Sequence, residues 1–236
     1  MRVGIHQPHY LPWLRYFEKV ARSDLFIILD DVQYEKNGYQ NRNRIKTAQG
    51  PLTLTVPVLK PLMRPIGEIG IDEASGWRER HRRAIVQSYS RAPHFARYWP
   101  ELEPFYLRAW DRLGELNREM LAVFLRLLEI PTCVRISSEL GVAAASSHRL
   151  AALCRAVGGT EYLSGSFAVG AYLDPATLRG AGIGLALQEW RAPEYSQLYP
   201  AAGFAADLSI LDLLFNEGPR SRDILLAAGG VSGGAT

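Results

Sequence analysis

Hydrophobic positions change period several times along the chain, and the order of those changes predicts the fold. Residues 2–6 read as a short strand. Residues 14–22 set Leu14, Phe17 and Val20/Ala21 on one face, the spacing of an amphipathic helix. Residues 25–29 are an unbroken apolar run, the pattern of a strand buried on both faces. Strand, short helix, strand is a βαβ unit, and such units are right-handed with parallel strands. Polar residues that follow the two strands therefore share the carboxyl-end edge of one sheet, where open α/β sheets bind ligands. These residues are Gln7 and His9 after the first strand, and Asp30 and Asp31 after the second.

Beyond this unit the period weakens and then turns helical. Residues 33–49 are polar and predict a long loop with short turns. Residues 52–58 alternate as a strand, and residues 66–71 predict a shorter one. Residues 77–89 place Trp77, His81, Ile85 and Ser88/Tyr89 on one helix face, and residues 101–129 carry a longer apolar stripe. The outer face of that longer helix offers Arg108–Asp111 and Arg112–Glu115 as surface pairs. Strands are predicted again at 133–137, 161–163 and 183–187. A helix from Ser146 or Ser147 to about residue 157 is closed by Gly158-Gly159, and Asp207 is the expected cap of a helix over 208–216. The expected architecture is α/β, a mostly parallel sheet with helices on both faces and a long helical insertion in the middle of the chain. One domain is expected over residues 1–228, its helical segment at about 76–130, followed by a glycine-rich, disordered tail at 229–236.

Composition narrows the class. The chain has 236 residues, enough for a sizeable core without covalent staples. Cys133 and Cys154 stand in no CxxC or Cys/His ligand spacing, so two buried, inert thiols in a reducing compartment are expected, with no metal site. No apolar leader follows Met1 and no apolar run reaches membrane-spanning length, which predicts a cytoplasmic protein without a membrane span. A formal charge of +3 is too small for bulk nucleic-acid binding.

Three polar constellations carry the candidate chemistry. In the first, His6, Gln7, His9 and Tyr10 lie in a loop pinned by Pro8 and Pro12, just where a helix begins. A helix start offers free N–H groups to phosphate or carboxylate. Trp13, in the same string, reads as core. The second is Asp30-Asp31-Val32-Gln33-Tyr34. Two adjacent carboxylates at a buried strand end need a partner or a cation, and their side chains diverge, so at most one of the two, Asp30 before Asp31, is expected to face the site. The third is Asn41-Arg42-Asn43-Arg44-Ile45-Lys46, where amides interleave with cations that suit an anion. Ser164, in Ser164-Gly165-Ser166 after a strand, is a weaker anion-turn candidate. His81 sits on an apolar helix face and reads as a hydrogen-bonded core histidine.

These strings, from His6-Gln7-Pro8-His9-Tyr10-Leu11-Pro12-Trp13 onward, resemble the WbqC-like family. Tyr162-Leu163-Ser164-Gly165, Tyr172-Leu173-Asp174 and the run from Leu208 to Asn216 extend the resemblance over nearly the whole chain. The family is named from surface-polysaccharide (O-antigen) gene clusters and also occurs in natural-product pathways. The resemblance implies a biosynthetic role, with acyl or aminoacyl transfer as the leading expectation, but carries no residue roles. In this sequence the bulky Ser166-Phe167-Ala168-Val169 departs from the glycine-rich turn expected there. A second likeness is to nucleotidyltransferases of the HIGH-motif superfamily, though His6-x-x-His9 is not their HxGH.

The transferase expectation gives each residue a role. His9 is the general base, with His6 beside it. Gln7, Asn41 or Asn43 polarises the donor carbonyl. Arg42 and Lys46 hold a phosphate or carboxylate, Asp30 or Asp31 orients the acceptor, and Tyr10, Gln33, Tyr34 and Ser164 line the site. The substrate is a small, anionic molecule. The donor is an activated acyl or aminoacyl species, on a carrier protein or an aminoacyl-tRNA. Under the nucleotidyltransferase alternative, His6 and His9 meet the triphosphate and Asp30 holds Mg²⁺. The non-enzymatic alternative is a binding subunit of a biosynthetic complex.

Overall fold

The computed structural model describes residues 1–59, 63–169 and 171–233. The chain opens as β1 (Arg2–His6), α1 (Leu14–Ala21) and β2 (Leu25–Ile28). An excursion follows, made of the hairpin β3 (Arg42–Thr47) and β4 (Gly50–Thr55), the small pair β5 (Val58–Leu59) and β6 (Gly70–Ile71), and four helices. The helices are α2 (Trp77–Tyr89), α3 (Phe95–Leu102), α4 (Pro104–Leu107) and α5 (Leu113–Leu127). The chain then returns through β7 (Cys133–Ile136), α6 (Ser146–Ala156), β8 (Glu161–Gly165), α7 (Pro175–Gly180) and β9 (Gly184–Trp190). It ends in α8 (Ile210–Glu217), α9 (Ser221–Ala227) and β10 (Gly229–Gly233).

The main sheet runs β10-β9-β8-β1-β2-β7. All its pairings are parallel except β10 against β9. The expected α/β architecture is thus realised, with β1 parallel to β2 and β9 in the same sheet. Both faces are covered. Val3, Ile5 and Ile27 pack with Leu150, Leu153 and Leu178 from α6 and α7. Phe26 and Ile28 face the other way, onto Leu14 and Phe17 of α1 and Phe124 of α5.

Strand order locates the ligand edge. From β1 the chain crosses over α1 to β2 on one side, and from β8 it crosses over α7 to β9 on the other. The connections diverge at the β1–β8 boundary. In a doubly wound sheet, the crevice outside the carboxyl ends of those two strands is the ligand site.

Several local expectations change. Within residues 33–49, expected as loop, β3 is a true strand. Its inward positions hold Asn43 and Ile45, and a polar residue at an inward position hides the alternation. The expected helix over 101–129 breaks into three pieces. Pro104 starts its own turn, and Ile71 and Leu113 tie the segment before α5 to β6 through Asp111 O and Ile69 O. Arg108 pairs with Glu119, and Arg112 donates to Glu68 O, in place of the expected surface pairs. Only Gly70–Ile71 of the expected strand at 66–71 is extended; Ile66–Glu68 is a 3-10 turn. Ser209, whose hydroxyl accepts from Leu211 N, caps α8 in place of Asp207. The first five residues of the expected disordered tail form β10, since a backbone ladder needs no side chains; residues 234–236 lie outside the description. Glu18, closing on Gly229, leaves no room there for a Cβ, and Arg22 grips the Leu226 and Gly229 carbonyls. Cys154 is buried as expected, but Cys133, on the outermost strand, is exposed.

Candidate active site

The loop between β1 and α1 is held from three sides. Its Tyr10 N donates to Gln40 O, Asn43 Nδ2 donates to Leu11 O at 2.6 Å, and Ile210 N donates to Pro12 O. Leu11 takes a left-handed φ of 46°, a conformation that costs a non-glycine residue about 1 kcal/mol. The Asn43 bond stabilises that conformation. Its effect is to fold His9 back over the end of β1.

His6 and His9 meet edge to face, ring centroids 4.8 Å apart. Tyr16 of α1 packs against both, at 5.0 Å from His6 and 5.7 Å from His9. Trp13 lies 4.9 Å from His9, and the exposed Tyr39 lies 4.6 Å from Trp13. An aromatic wall thus runs from solvent down to the imidazoles. Burial pushes the pKa of His9 down to about 3, and burial lowers that of His6 as well, helped by His9 and Lys19. Both rings are neutral at pH 7. His9 Nδ1 and the Tyr16 hydroxyl are buried with no hydrogen-bond partner. Orphaned buried polar atoms cost about 1–3 kcal/mol each unless a water, ion or ligand supplies the missing partner.

The other candidates divide. Gln7 Oε1 accepts from Gln40 Nε2 at 2.7 Å, and Asn117 Nδ2 donates to Gln40 O, so α5 braces this amide. Ser164, buried at the end of β8, stands across the crevice from β1. Asn41 donates to Val56 O, Asn43 to Leu11 O, and the buried Lys46 to Gln197 Oε1 and Gly203 O. These three side chains are engaged by the scaffold. Arg42 donates to Asn37 O in the loop that carries Tyr39. The buried Tyr10 hydroxyl bonds His81 Nδ1 at 2.9 Å and Tyr106 at 3.0 Å, a core network; His81 is the hydrogen-bonded core histidine expected. Tyr34 is buried and Gln33 exposed.

Asp30 and Asp31 turn toward β7. Asp30 accepts from Ser137 Oγ, Ser138 N and Ser138 Oγ; Asp31 accepts from Ser137 Oγ and pairs with Arg149. A cleft of about 260 Å³ opens beside Asp30, between Gly67, Arg112, Glu115 and Arg118. Among the described residues, no three His, Cys, Asp or Glu side chains are grouped to hold a metal ion, and no helix is long and apolar enough to cross a membrane.

Tyr16, Lys19, Tyr39, Gln40 and Asn117 belong to this neighbourhood, and sequence reasoning passed over them. Tyr39-Gln40 directly precedes the Asn-Arg-Asn run, the one signal available. Nothing in the residue pattern marks Asn117, four helices away.

Comparison with known proteins supplies the family. The model of the WbqC-like protein family matches residues 7–224. An uncharacterized protein of Mycobacterium tuberculosis, Rv1507c, is 39% identical over 228 residues, covering 95% of this chain and 97% of its own. No solved structure matches.

Proposed function

The chain belongs to the WbqC-like protein family, and from that premise we propose that it is a transferase moving an acyl or aminoacyl group from an activated donor to an amine or hydroxyl acceptor. Membership itself points to a biosynthetic role. The observation that carries the finer reading is the neutral His6–His9 pair at the sheet's switch point, with His9 Nδ1 buried and unpartnered.

A neutral imidazole in a dry site can take a proton from the acceptor's N–H or O–H as that atom attacks the donor carbonyl. The proton then passes to the leaving group as the carbonyl–donor bond breaks. Gln7, fixed through Gln40, offers its amide N–H to the developing oxyanion. The Trp13–Tyr39 wall gives the substrate an apolar face on the way in.

Nucleotidyl transfer shares the doubly wound strand order and keeps the second place. Thermal shift separates the two: coenzyme A thioesters should stabilise the transferase, whereas ATP or CTP with Mg²⁺ should stabilise a nucleotidyltransferase. In a transfer assay with the responding donor, His9→Ala should lower kcat by about two to four orders of magnitude while KM changes little. Unchanged turnover would remove His9 as the base and favour a binding module.

A further inference from the structure

Lys19 is the least expected side chain in the molecule. It lies on α1, which packs on one face of the sheet, yet it is 5% exposed. Its ammonium donates to Ile5 O at 2.8 Å and sits 5.6 Å from the centre of the Tyr162 ring on β8.

The direction of Ile5 O gives the position meaning. Carbonyls alternate along a strand. Arg2 O and His6 O accept from Asp24 N and Leu29 N on the β2 side, and Met1 O accepts from Thr160 N and Glu161 N on the β8 side. Ile5 O therefore points at β8. The β1–β2 register continues to His6↔Ile28, but the β1–β8 register stops at Gly4↔Leu163. Lys19 takes the carbonyl that the next rung would have used. Its ammonium lies where the two strands part, near enough to His6 to disfavour protonation there.

The charges around it share one sign. Burial first, then Lys19 and Arg15, disfavours protonation of His6, and burial followed by Arg15 does the same to Lys19. From the other side of the sheet, Lys19 faces Tyr162 and Cys154, both neutral there because burial raises their pKa values. Glu18, the nearest carboxylate in sequence, turns away to Arg22 and Gln188. Among the described residues no carboxylate is in ion-pair contact with Lys19 or Arg15. Arg15 is exposed one turn before Lys19, on the same side of α1.

We propose that the gap between β1 and β8 is an oxyanion site in which Lys19 and Arg15 supply the charge and His6, His9 and Tyr16 supply the hydrogen bonds. The ligand class is a phosphate or a carboxylate carried by the substrate or donor. The two orphaned atoms, His9 Nδ1 and the Tyr16 hydroxyl, gain partners when the anion arrives. The anion also acts on the chemistry. Negative charge beside the imidazoles raises their pKa toward neutrality, so occupancy of the site makes the base stronger. Lys19 is an anchor here and His9 remains the base. The inference rests on the switch-point reading of the site and does not require the reaction to be acyl transfer.

The test is imidazole titration by NMR on the full chain, with inorganic phosphate, trifluoroacetate or chloride added. Chloride controls for screening. Phosphate should raise the titration midpoint of His6 or His9 by about one pH unit if the site takes phosphates, and trifluoroacetate, a carboxylate still ionised where His9 titrates, should do so if it takes carboxylates. Lys19→Met, which keeps the volume, should abolish the rise. Arg15→Gln, at an exposed position and safe for folding, should weaken anion affinity by about tenfold. Equal midpoints in all three salts would overturn the proposal, as would a wild-type response in folded Lys19→Met or in Arg15→Gln. An intact anion response in a protein inert to every donor would instead remove the transferase reading and leave this site standing.

Discussion

β1 and β2 are neighbours that end at the same edge in polar residues, yet the two ends are built in opposite ways. At the end of β2 both carboxylates are answered: Asp30 and Asp31 are held by Ser137, Ser138 and Arg149, although Arg149 Nε itself has no partner. At the end of β1 hydrogen bonds reach Lys19, His6 and Gln7, but among the described residues no counter-charge does. The buried His9, Tyr16 and Lys19 and the half-buried His6 have no carboxylate in ion-pair contact among the described residues, and two of the polar atoms have no partner. Satisfied polar clusters rigidify a fold, whereas unsatisfied ones destabilise it unless a ligand completes them. The aspartates are thus engaged by neighbouring side chains, and the histidine end keeps unpartnered polar atoms.

The largest expected effect is on acid stability. His9 titrates near 6.5 when unfolded and about 3 when folded. Between those values the unfolded chain holds a proton that the folded chain refuses, so stability falls as pH falls, by about 1.4 kcal/mol per pH unit for this one group. Urea unfolding of wild type and His9→Gln at stepped pH should give curves that diverge through this window, the variant losing less. Parallel curves would mean that His9 is hydrated and that the two strand ends are alike.

Lys19→Met comes next. Removing a buried cation that has no counter-charge should stabilise the protein by about 3 kcal/mol at neutral pH. Burial brings the Lys19 pKa from 10.5 to about 7. Above the folded value the unfolded chain holds the extra proton, so wild-type stability should rise between pH 7 and 10.5, a rise the variant lacks. A function–stability trade-off of this kind is expected where a site is held open for a ligand. Destabilisation by Lys19→Met would make the lysine a scaffold residue, like Lys46. Arg149→Met probes the other strand end and should cost about 2 kcal/mol, since it leaves Asp31 short of its partner. The histidine midpoints and their response to phosphate should not move.

The doubly covered sheet was legible because its signal is repeated. Apolar runs at β1, β2 and β9, separated by helical periods, leave few arrangements open. The position of the histidines followed from the same logic. What the sequence hid was pairing across long separations. That Asp30 and Asp31 find Ser137 and Arg149, more than a hundred residues on, leaves no local trace. Lys19 was hidden for a different reason. A lysine beside Leu14, Phe17 and Val20 reads as the wet face of an amphipathic helix. Here that face lies over the parting of β1 and β8, a property of the strand order and not of the helix. Asn43 misled in the opposite sense, since its polar side chain serves the backbone of Leu11.

The smallest effect is expected at the thiols, and it still sharpens the comparison. Cys133 is exposed on the outermost strand of the sheet, beyond β2. Cys154 is buried on α6, close enough to Lys19 for each charge to act on the other, and burial pushes its pKa up to about 12. Reactivity follows thiolate population and access. In native protein, iodoacetamide should therefore label Cys133 and leave Cys154 untouched. The modified protein should keep its stability within about 0.5 kcal/mol, as surface changes do, and its histidine midpoints unchanged. Cys154 should react only as the sheet opens, so its slow labelling measures how often the gap that holds Lys19 comes apart. If that labelling slows when phosphate is added, and does not slow in Lys19→Met, the anion and the gap are coupled. If Cys154 labels as fast as Cys133, the interior around Lys19 is wet, and the contrast between the two strand ends disappears with it.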